Sequence, residues 1–321
     1  MYKCPHCFHP FQKHEALFRC GSIAQVCSHE EDIAYNTSHE SPLSLQGHII
    51  QKTLSKLEHF LRRDKESIPC EICARLTRQR VCPHCHHNLS DVFFKADFVA
   101  LGFIAERPQD LDTYVTYLRK GLEKVVADDI GYGLKPELSA TKWDIYLERA
   151  GQKGQRPTTL HVRFYPLHPD ALPKNVYSFD GLILFCDKDH ATEGRPYVPN
   201  SIQALTMAME KKIKMPVALV YSCFETLAMT LPSTHPLFRS SVSRKQEGER
   251  ISSDMLAYTG YWFGANVLQL LKRYFLRYRL FCQSFTYPEE HPFLANSGWH
   301  IEDPFVWILE CLGKIKREKN A

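Results

Sequence analysis

Paired cysteines are the residues of this sequence with the clearest chemical capacity. Three Cys-x-x-Cys knuckles stand near its start: the first at Cys4–Cys7, the second at Cys70–Cys73 and the third at Cys82–Cys85. Each knuckle can place two thiolates from one tight turn at two corners of a tetrahedron, about 2.3 Å from a zinc ion. A second knuckle, or two further cysteines, supplies the other two corners. The spacing therefore predicts zinc bound by thiolates.

Eight cysteines are the expected metal ligands. They are Cys4, Cys7, Cys20, Cys27, Cys70, Cys73, Cys82 and Cys85. We expect one site to combine the second and third knuckles, as Cys-x2-Cys-x8-Cys-x2-Cys. The other site would combine the first knuckle with Cys20 and either Cys27 or His29. An interleaved arrangement, in which the first knuckle joins the third, is the alternative.

The expected role of the metal is structural. Four thiolates leave no open coordination position, whereas catalytic zinc keeps one and usually has His or carboxylate ligands. A small module has too little core to fold unaided, so two Zn²⁺ ions would supply its folding free energy. The histidines of this region are then solvated turn residues and not ligands; they are His6, His9, His84, His86 and His87.

Composition limits the class of protein. Of 321 residues 44% are hydrophobic and 24% charged, which excludes a disordered or collagen-like chain. The net charge of +4 disfavours a dedicated nucleic-acid binder. No apolar run approaches the ~20 residues of a membrane helix, and the first residues lack the apolar segment of a signal peptide. Clustered cysteines without a secretion signal favour metal over disulfides, so we expect a cytoplasmic protein without membrane contact.

Periodicity divides the chain into a Cys/His-rich module, 1–95, and an α/β domain, 96–321. In the module, 28–43 is an expected loop and 44–63 an expected helix, with apolar residues at helical spacing. In the domain, strands are expected at 98–104, 143–149, 159–165, 180–186, 216–221 and 278–285, with 143–149 at an edge. Helices are expected at 111–125, 202–212 and 267–276, and from an N-cap at Asp303. This alternation predicts a doubly wound, mostly parallel sheet.

The loop after the first predicted strand of the domain decides whether a phosphate can bind there. Sheets of this kind bind ligands at the carboxyl ends of their strands, and a P-loop needs Gly-x4-Gly-Lys-Ser/Thr at that place. Residues 105–113 read Ala-Glu-Arg-Pro-Gln-Asp-Leu-Asp-Thr, without lysine or glycine. Glu106, Asp110 and Asp112 would repel a triphosphate. The sequence therefore predicts that no phosphate site exists here.

A family resemblance follows from the order of these segments. The Cys-Pro-His-Cys knuckles, the strand and loop at 98–113, the strand Asp180–Cys186 and the final Glu302–Leu309 segment resemble the bacterial zinc-ribbon double-GTPase proteins of the TRAFAC class. The resemblance implies a P-loop GTPase-like fold behind a zinc ribbon. It also implies a place in bacterial multi-protein conflict or phage-defence systems, beside an active GTPase or a GTPase-activating-like partner.

The nucleotide motifs of that family are missing here. The Asp-x-x-Gly motif should follow the strand at 159–165, where Phe164–Pro169 reads Phe-Tyr-Pro-Leu-His-Pro. The Lys-x-Asp motif should follow the strand at 216–221, where Ser222–Thr226 retains a single acidic residue, Glu225. We therefore expect a non-catalytic pseudo-GTPase, a protein-binding scaffold or regulatory subunit, and assign no catalytic or nucleotide-binding residue.

Two other functions are compatible with the sequence. One is a hydrolase with an atypical site, for which the candidate residues are His168, Asp170, Asp187 and His190. The other is a zinc-ribbon nucleic-acid binder, for which the candidate contacts are Arg75, Arg78, Arg80 and the basic helix around Arg273. Bound nucleotide or divalent ion in the domain would favour the first, and steeply salt-dependent binding the second.

Overall fold

A computed structural model describes most of the chain in two compact units, Met1–Phe98 and Val99–Ala321. The described residues are 1–39, 45–50, 67–107, 109–129, 131–138, 141–151, 157–186, 198–209, 211–222, 244–283 and 301–315. Across those ranges, every helix is too short or too polar to cross a bilayer.

The described residues of the first unit form short strands, an α-helix and a 3-10 turn at Lys13–Glu15. Its strands are β1 (Tyr2–Lys3), β2 (Pro10–Phe11), β3 (Leu17–Arg19), β4 (His29–Glu31), β5 (Leu45–Gly47), β6 (Ile49–Ile50), β7 (Ile68–Pro69), β8 (Leu76–Thr77), β9 (Arg80–Val81) and β10 (Asn88–Leu89). The helix is α1 (Ile33–His39). Strands β10, β9, β3 and β6 form an antiparallel four-stranded sheet in that order.

Three hairpins of this unit have the same register. Tyr2 pairs with Phe11, Ile68 with Thr77 and Arg80 with Leu89, so each hairpin closes over an identical span. A Cys-x-x-Cys knuckle occupies the tip of each one. The unit therefore repeats one structural element three times, and β3 with the loop after it carries the remaining two cysteines, Cys20 and Cys27.

The second unit is a sheet covered by helices. Its strands are β11 (Ala96–Ile104), which begins within the first unit, β12 (Gly133–Leu134), β13 (Asp144–Arg149), β14 (Thr158–Leu167), β15 (Gly181–Cys186), β16 (Ile213–Tyr221) and β17 (Phe275–Cys282). Its helices are α2 (Gln109–Asp129), α3 (Asn200–Ala208), α4 (Arg244–Phe263), α5 (Ala265–Tyr274) and α6 (Asp303–Cys311). Short 3-10 turns lie at Pro136–Leu138, Pro169–Ala171 and Val176–Ser178.

The seven strands are ordered β12-β13-β14-β11-β15-β16-β17. Strands β11, β15, β16 and β17 pair in parallel, and β12, β13 and β14 pair antiparallel. The central strands are apolar runs because both of their faces are buried, as in other parallel sheets. Helix α2 buries Leu111, Val115 and Leu118 at helical spacing against one face. The mostly parallel α/β sheet predicted from the sequence is confirmed.

Four local predictions were wrong. Residues 45–50 form β5 and β6 and not the start of a helix, while 51–63 lie outside the described residues. The expected loop at 28–43 contains β4 and α1. Strand β13 is not an edge strand, because β12 pairs on its outer side. Helix α6 has its N-cap at Glu302, one residue before the expected Asp303, and Pro304 lies in its first turn as predicted.

Candidate metal centres

Each knuckle is a tight turn with the same backbone bonds. In the first, the Cys4 amide donates to His9 O (3.0 Å) and the Phe8 amide to Cys4 O (3.0 Å). The other two knuckles repeat both bonds. The residue after each second cysteine has a left-handed backbone, at Phe8 (φ 60°), Ala74 (φ 55°) and His86 (φ 53°). This strained position brings both thiols of a knuckle to one side of the turn.

The first centre joins the first and third knuckles. Cys4 Sγ lies 3.7 Å from Cys85 Sγ, and Cys7 Sγ lies 3.8 Å from Cys82 Sγ. The first cysteine of each knuckle thus faces the second cysteine of the other, as in a local two-fold arrangement. Amides of the turns also point at the sulfurs, since the amides of His6 in the first knuckle and His84 in the third each donate to a thiol at 3.4 Å.

The second centre joins the second knuckle to the loop after β3. Cys20 Sγ lies 3.6 Å from Cys73 Sγ, and Cys27 Sγ lies 3.6 Å from Cys70 Sγ. The loop approaches so closely that a Cβ at Gly47 would collide with the carbonyl oxygen of Cys20. Cys27 is the fourth member of this group. His29 does not belong to this group, and its Nε2 makes a 2.8 Å hydrogen bond with Ser22 O.

Both centres have the dimensions of a tetrahedral metal site. Sulfurs bound at ~2.3 Å to one tetrahedral ion lie roughly 3.8 Å from one another. The contacts of 3.6–3.8 Å match this value, and all four sulfurs of each group lie within 4.8 Å of one another. Across the described residues these are the two groups able to hold a metal ion, and they contain all eight predicted cysteines.

The expected pairing of the knuckles was wrong, and the interleaved alternative is the one observed. Strand β8 returns along β7, so the second knuckle closes its own hairpin. Strand β9 then pairs with β3 and β10, which carries the third knuckle away from the second. The eight residues between Cys73 and Cys82 are close in sequence but belong to two different hairpins.

Crowding of the thiols shifts their pKa values. A hydrogen bond with Cys4 is the main cause that lowers the pKa of Cys7 to about 6, and Cys4 also lowers the pKa of Cys82. In the second centre the Ser22 hydroxyl, 3.4 Å from Cys73 Sγ, lowers the pKa of Cys73 to about 6. Each group thus contains a thiol that ionises readily, and thiolate is the form that binds metal.

The histidines near the first centre form two stacked pairs. His6 stacks on His87 with ring centroids 3.9 Å apart, and His9 stacks on His84 at 4.6 Å. None of them belongs to either group of metal-binding side chains found among the described residues. His6, His9 and His84 are exposed as predicted, but His87 is buried. His86 was also misjudged, because its Nδ1 lies 2.8 Å from the Asp32 carboxylate.

A buried ion pair links the two centres. Arg19, next to Cys20, donates to Asp32 Oδ2 at 2.8 Å and to His86 O at 2.9 Å. Burial alone would raise the pKa of Asp32, but hydrogen bonds from His86 and the Tyr35 amide outweigh it and lower that pKa. The network ties the strand before the second centre to the turn of the first.

The arginines expected for nucleic-acid binding differ in their exposure to solvent. Arg75 and Arg78 are exposed, whereas Arg80 is buried and lies over the rings of Phe18 and Phe94 at 5.3 and 5.0 Å. Arg273, in the second unit, lies 5.4 Å from the Tyr274 ring. Arg80 therefore packs in the core of its unit, and its guanidinium is withdrawn from solvent.

The predicted hydrolytic residues are only partly described. Asp187 and His190 lie outside the described residues. His168 caps the Pro169–Ala171 turn, where its Nδ1 accepts a hydrogen bond from the Asp170 amide at 3.3 Å. Asp170 borders a groove of about 460 Å³ beside α3, and it is the one titratable group among the residues lining it. A single exposed carboxylate is not a general acid–base pair.

A buried charge cluster in the sheet was missed by sequence reasoning. Asp144 on β13 is fully buried, and its carboxylate accepts hydrogen bonds from Arg163 at 2.7 and 3.0 Å and from Thr141 at 2.9 Å. His161 Nε2 lies 2.9 Å from the same carboxylate, and its ring stacks on Tyr146 at 4.1 Å. The available signal was the alternation of His161 and Arg163 opposite Asp144 and Tyr146 across one hairpin.

Comparison with known proteins gives little beyond this geometry. No family model and no curated protein matches the sequence. Among solved structures, the chain matches oxidised flavodoxin 1 from Bacillus cereus at 10% identity and a TM-score of 0.29, over 68% of this chain and 100% of that chain. A likeness of this size supports no inference about ligand or activity.

Proposed function

We propose that this protein is a non-catalytic zinc-ribbon pseudo-GTPase that serves as a binding scaffold or regulatory subunit. The observation that carries the proposal is the chemistry of the loop and helix end after β11. There a phosphate would have to bind, but the first turn of the helix carries two acidic side chains and the Ala105 amide already donates to Leu167 O.

Zinc is the proposed ion in both centres. Tetrahedral sets of four sulfur ligands select zinc or iron–sulfur chemistry, and zinc requires no bridging sulfide. The ligands would be Cys4, Cys7, Cys82 and Cys85 in one centre and Cys20, Cys27, Cys70 and Cys73 in the other. Zinc bound there would supply folding free energy, because the site forms only in the folded chain. Its role would be structural, because thiolates fill all four coordination positions.

The order of the strands supports a GTPase-like origin for the second unit. Its central strand, β11, is the first in sequence and is followed by α2. The antiparallel pair β13–β14 lies on one side of it, and β15, β16 and β17 follow in parallel on the other. The P-loop GTPase-like fold has the same plan, whereas the flavodoxin-like order 2-1-3-4-5 lacks the antiparallel pair beside its first strand.

The end of β11 offers little to a phosphate. Four residues, 105–108, separate Ile104 from the start of α2. The Ala105 amide donates a hydrogen bond to Leu167 O at 3.2 Å. Gly102 does not serve close approach of a ligand, since a Cβ there would meet the Leu182 and Leu167 side chains at 2.6 and 2.9 Å. The glycine thus serves packing within the sheet.

Two acidic residues, Asp110 and Asp112, lie in the first turn of α2, at the positive end of the helix dipole. Helix N-termini attract phosphate, and acidic side chains in the first turn compete for the same amides and dipole. Asp110 pairs with Arg107 at 3.2 Å, and Asp112 pairs with Lys142 at 2.7 Å and with Trp143 Nε1 at 2.8 Å. The Lys142 bond is the main cause that lowers the pKa of Asp112, so this carboxylate is charged at neutral pH. A triphosphate would meet two fixed negative charges.

A domain of this fold without a phosphate-binding site can still bind other proteins through its surface, and this is the role that we propose. The family resemblance adds the proposed setting, a bacterial multi-protein conflict or phage-defence system with an active GTPase or GTPase-activating-like partner. The hydrolase alternative is less favoured because the groove at Asp170 contributes a single carboxylate. The nucleic-acid alternative is less favoured because Arg80 is buried.

Titration of the zinc-loaded full chain with mant-GTP and Mg²⁺ tests the proposal. We expect no saturable fluorescence change and no phosphate release, with an active GTPase as the positive control. Mant-ATP, titrated in parallel, separates a guanine-specific site from general nucleotide binding. Micromolar binding or multiple turnovers with either nucleotide would contradict the proposal.

A further inference from the structure

Exposed aliphatic side chains surround the second metal centre. Ile23 (59% exposed) and Val26 (55%) lie between Cys20 and Cys27, and Ile72 (52%) lies inside the second knuckle. Leu76 (68%) follows on β8 of the same hairpin. Single exposed aliphatic residues are ordinary, but four on the two loops that bind one metal form a distinctive surface. We name these four residues the aliphatic surface.

The first centre shows that metal binding does not require apolar tips. Ile72 occupies the third position of its knuckle, where the first and third knuckles have His6 and His84. Those two histidines are exposed as well, but their rings stack on His87 and His9 of the opposite knuckle. Ile72 is 52% exposed and presents an aliphatic side chain at the same position. Its apolar character is therefore explained by something outside the metal geometry.

The charged side chains beside the aliphatic surface are net positive. Arg75 and Arg78 are exposed in the same hairpin, and Glu71 is the one acidic residue between positions 67 and 81. A second copy of this chain would bring the same net charge, which disfavours self-association. An acidic partner would be attracted, and apolar contacts with arginine at the rim are typical of protein interfaces.

We propose that the aliphatic surface, with Arg75 and Arg78, binds a protein segment with aliphatic side chains flanked by Asp or Glu. This inference rests on the proposed function, because it names the docking surface of the scaffold and the chemistry of its partner. Bonds such as that from the Cys27 amide to Ile23 O (3.1 Å) hold the loop, and a bound metal ion would fix both loops further, so little ordering entropy would be lost on binding.

Other classes of partner fit this surface less well. Single-stranded nucleic acids stack on aromatic side chains, and this surface has none. Membrane surfaces select Trp, Phe and clusters of cations, and two arginines contribute only about 1 kcal/mol each near an anionic bilayer. A protein segment is the class that uses both aliphatic and arginine contacts in a small area.

Selection from a random-peptide display library tests the inference with the zinc-loaded full chain. We expect enriched peptides to contain Leu, Ile or Val beside Asp or Glu. Ile72→Asp with Leu76→Asp should weaken their binding by roughly tenfold or more, as for central interface residues. Ile33→Asp is the matched control, since Ile33 is 74% exposed and lies outside the ligand loops. Zinc content of two per chain in each variant shows that the unit is folded.

Charge reversal provides the second readout. Arg75→Glu with Arg78→Glu should shift the selected peptides from acidic to basic, which a purely structural effect would not do. The inference is overturned if no peptide is enriched, if enriched peptides lack acidic residues, or if they bind the Ile72/Leu76 variant as well as the parent. It is also overturned if single-stranded DNA or anionic vesicles bind the surface more tightly. GTP turnover would instead overturn the proposed function, whatever the peptides show.

Discussion

Double substitution of cysteines can establish the pairing of the two centres by counting metal ions. In the structure Cys4 and Cys82 belong to one centre, and Cys20 belongs to the other. Cys4→Ser with Cys82→Ser should therefore remove one zinc and leave one per chain. Cys4→Ser with Cys20→Ser should remove both. The pairing expected from sequence spacing gives the opposite result, because it places Cys4 with Cys20 and separates both from Cys82.

The size of the effect follows from the ligand sets. Structural zinc contributes on the order of 10–16 kcal/mol of binding free energy in small domains, and two missing thiolates leave too few ligands to retain it. Zinc per chain should be measured by inductively coupled plasma mass spectrometry after equilibration in a zinc buffer. Cys186→Ser, outside both groups, is the control and should retain two zinc. One zinc in the Cys4/Cys20 variant and none in the Cys4/Cys82 variant would refute the interleaved pairing. None in both would refute independent centres.

Two further predictions concern packing and charge. Gly47→Ala should remove zinc from the second centre only, because the new methyl group would collide with the Cys20 carbonyl oxygen. Gly21→Ala is the control, because the space around Gly21 is open. The measurement is the number of zinc ions per chain, which should be one in the Gly47 variant and two in the control. Asp144→Asn should lower the free energy of unfolding by ~3–5 kcal/mol near neutral pH, because it leaves the Arg163 guanidinium buried without its counter-charge. Burial raises the pKa of Asp144, but hydrogen bonds from His161 and Arg163 lower it more, so the net shift is downward. The charged carboxylate therefore stabilises the folded protein above the ordinary pKa of ~3.9, and this stabilisation is lost as the pH falls below that value. The difference between parent and variant in urea unfolding should thus shrink with acidification; a difference that is constant with pH would show that the charge is not responsible.

The metal ligands could be predicted from residue type and spacing, but their pairing could not. Each Cys-x-x-Cys sequence specifies its own turn, which identified six of the cysteines, and Cys20 and Cys27 followed as the nearest partners of the first knuckle. The pairing depends on which strands of different hairpins meet, and β9 pairs with β3 from far earlier in the chain. No pattern in the neighbouring sequence predicts that contact.

The central sheet was predictable because its strands are continuous apolar runs between helical patterns. Helix α4 was not predicted, since its buried stripe of Ile251, Met255 and Phe263 is interrupted by Thr259. That hydroxyl is satisfied inside the structure, by Met255 O at 2.6 Å and the Tyr221 hydroxyl at 2.9 Å. Similarly, the burial of Asp144 was not predicted, because nothing in its own strand reveals that Arg163 and His161 lie opposite it.

The span of the metal sites has a consequence for how the chain is made. Cys7 meets Cys82 across 75 residues, and Cys27 meets Cys70 across 43. An ion bound at either centre would thus act as a long-range cross-link, of the kind that restricts an unfolded chain most when the loop it closes is long. During synthesis the first knuckle emerges before the third, and the site that they share cannot close until the third knuckle has left the ribosome. The two thiols of the first knuckle stay unprotected throughout that interval.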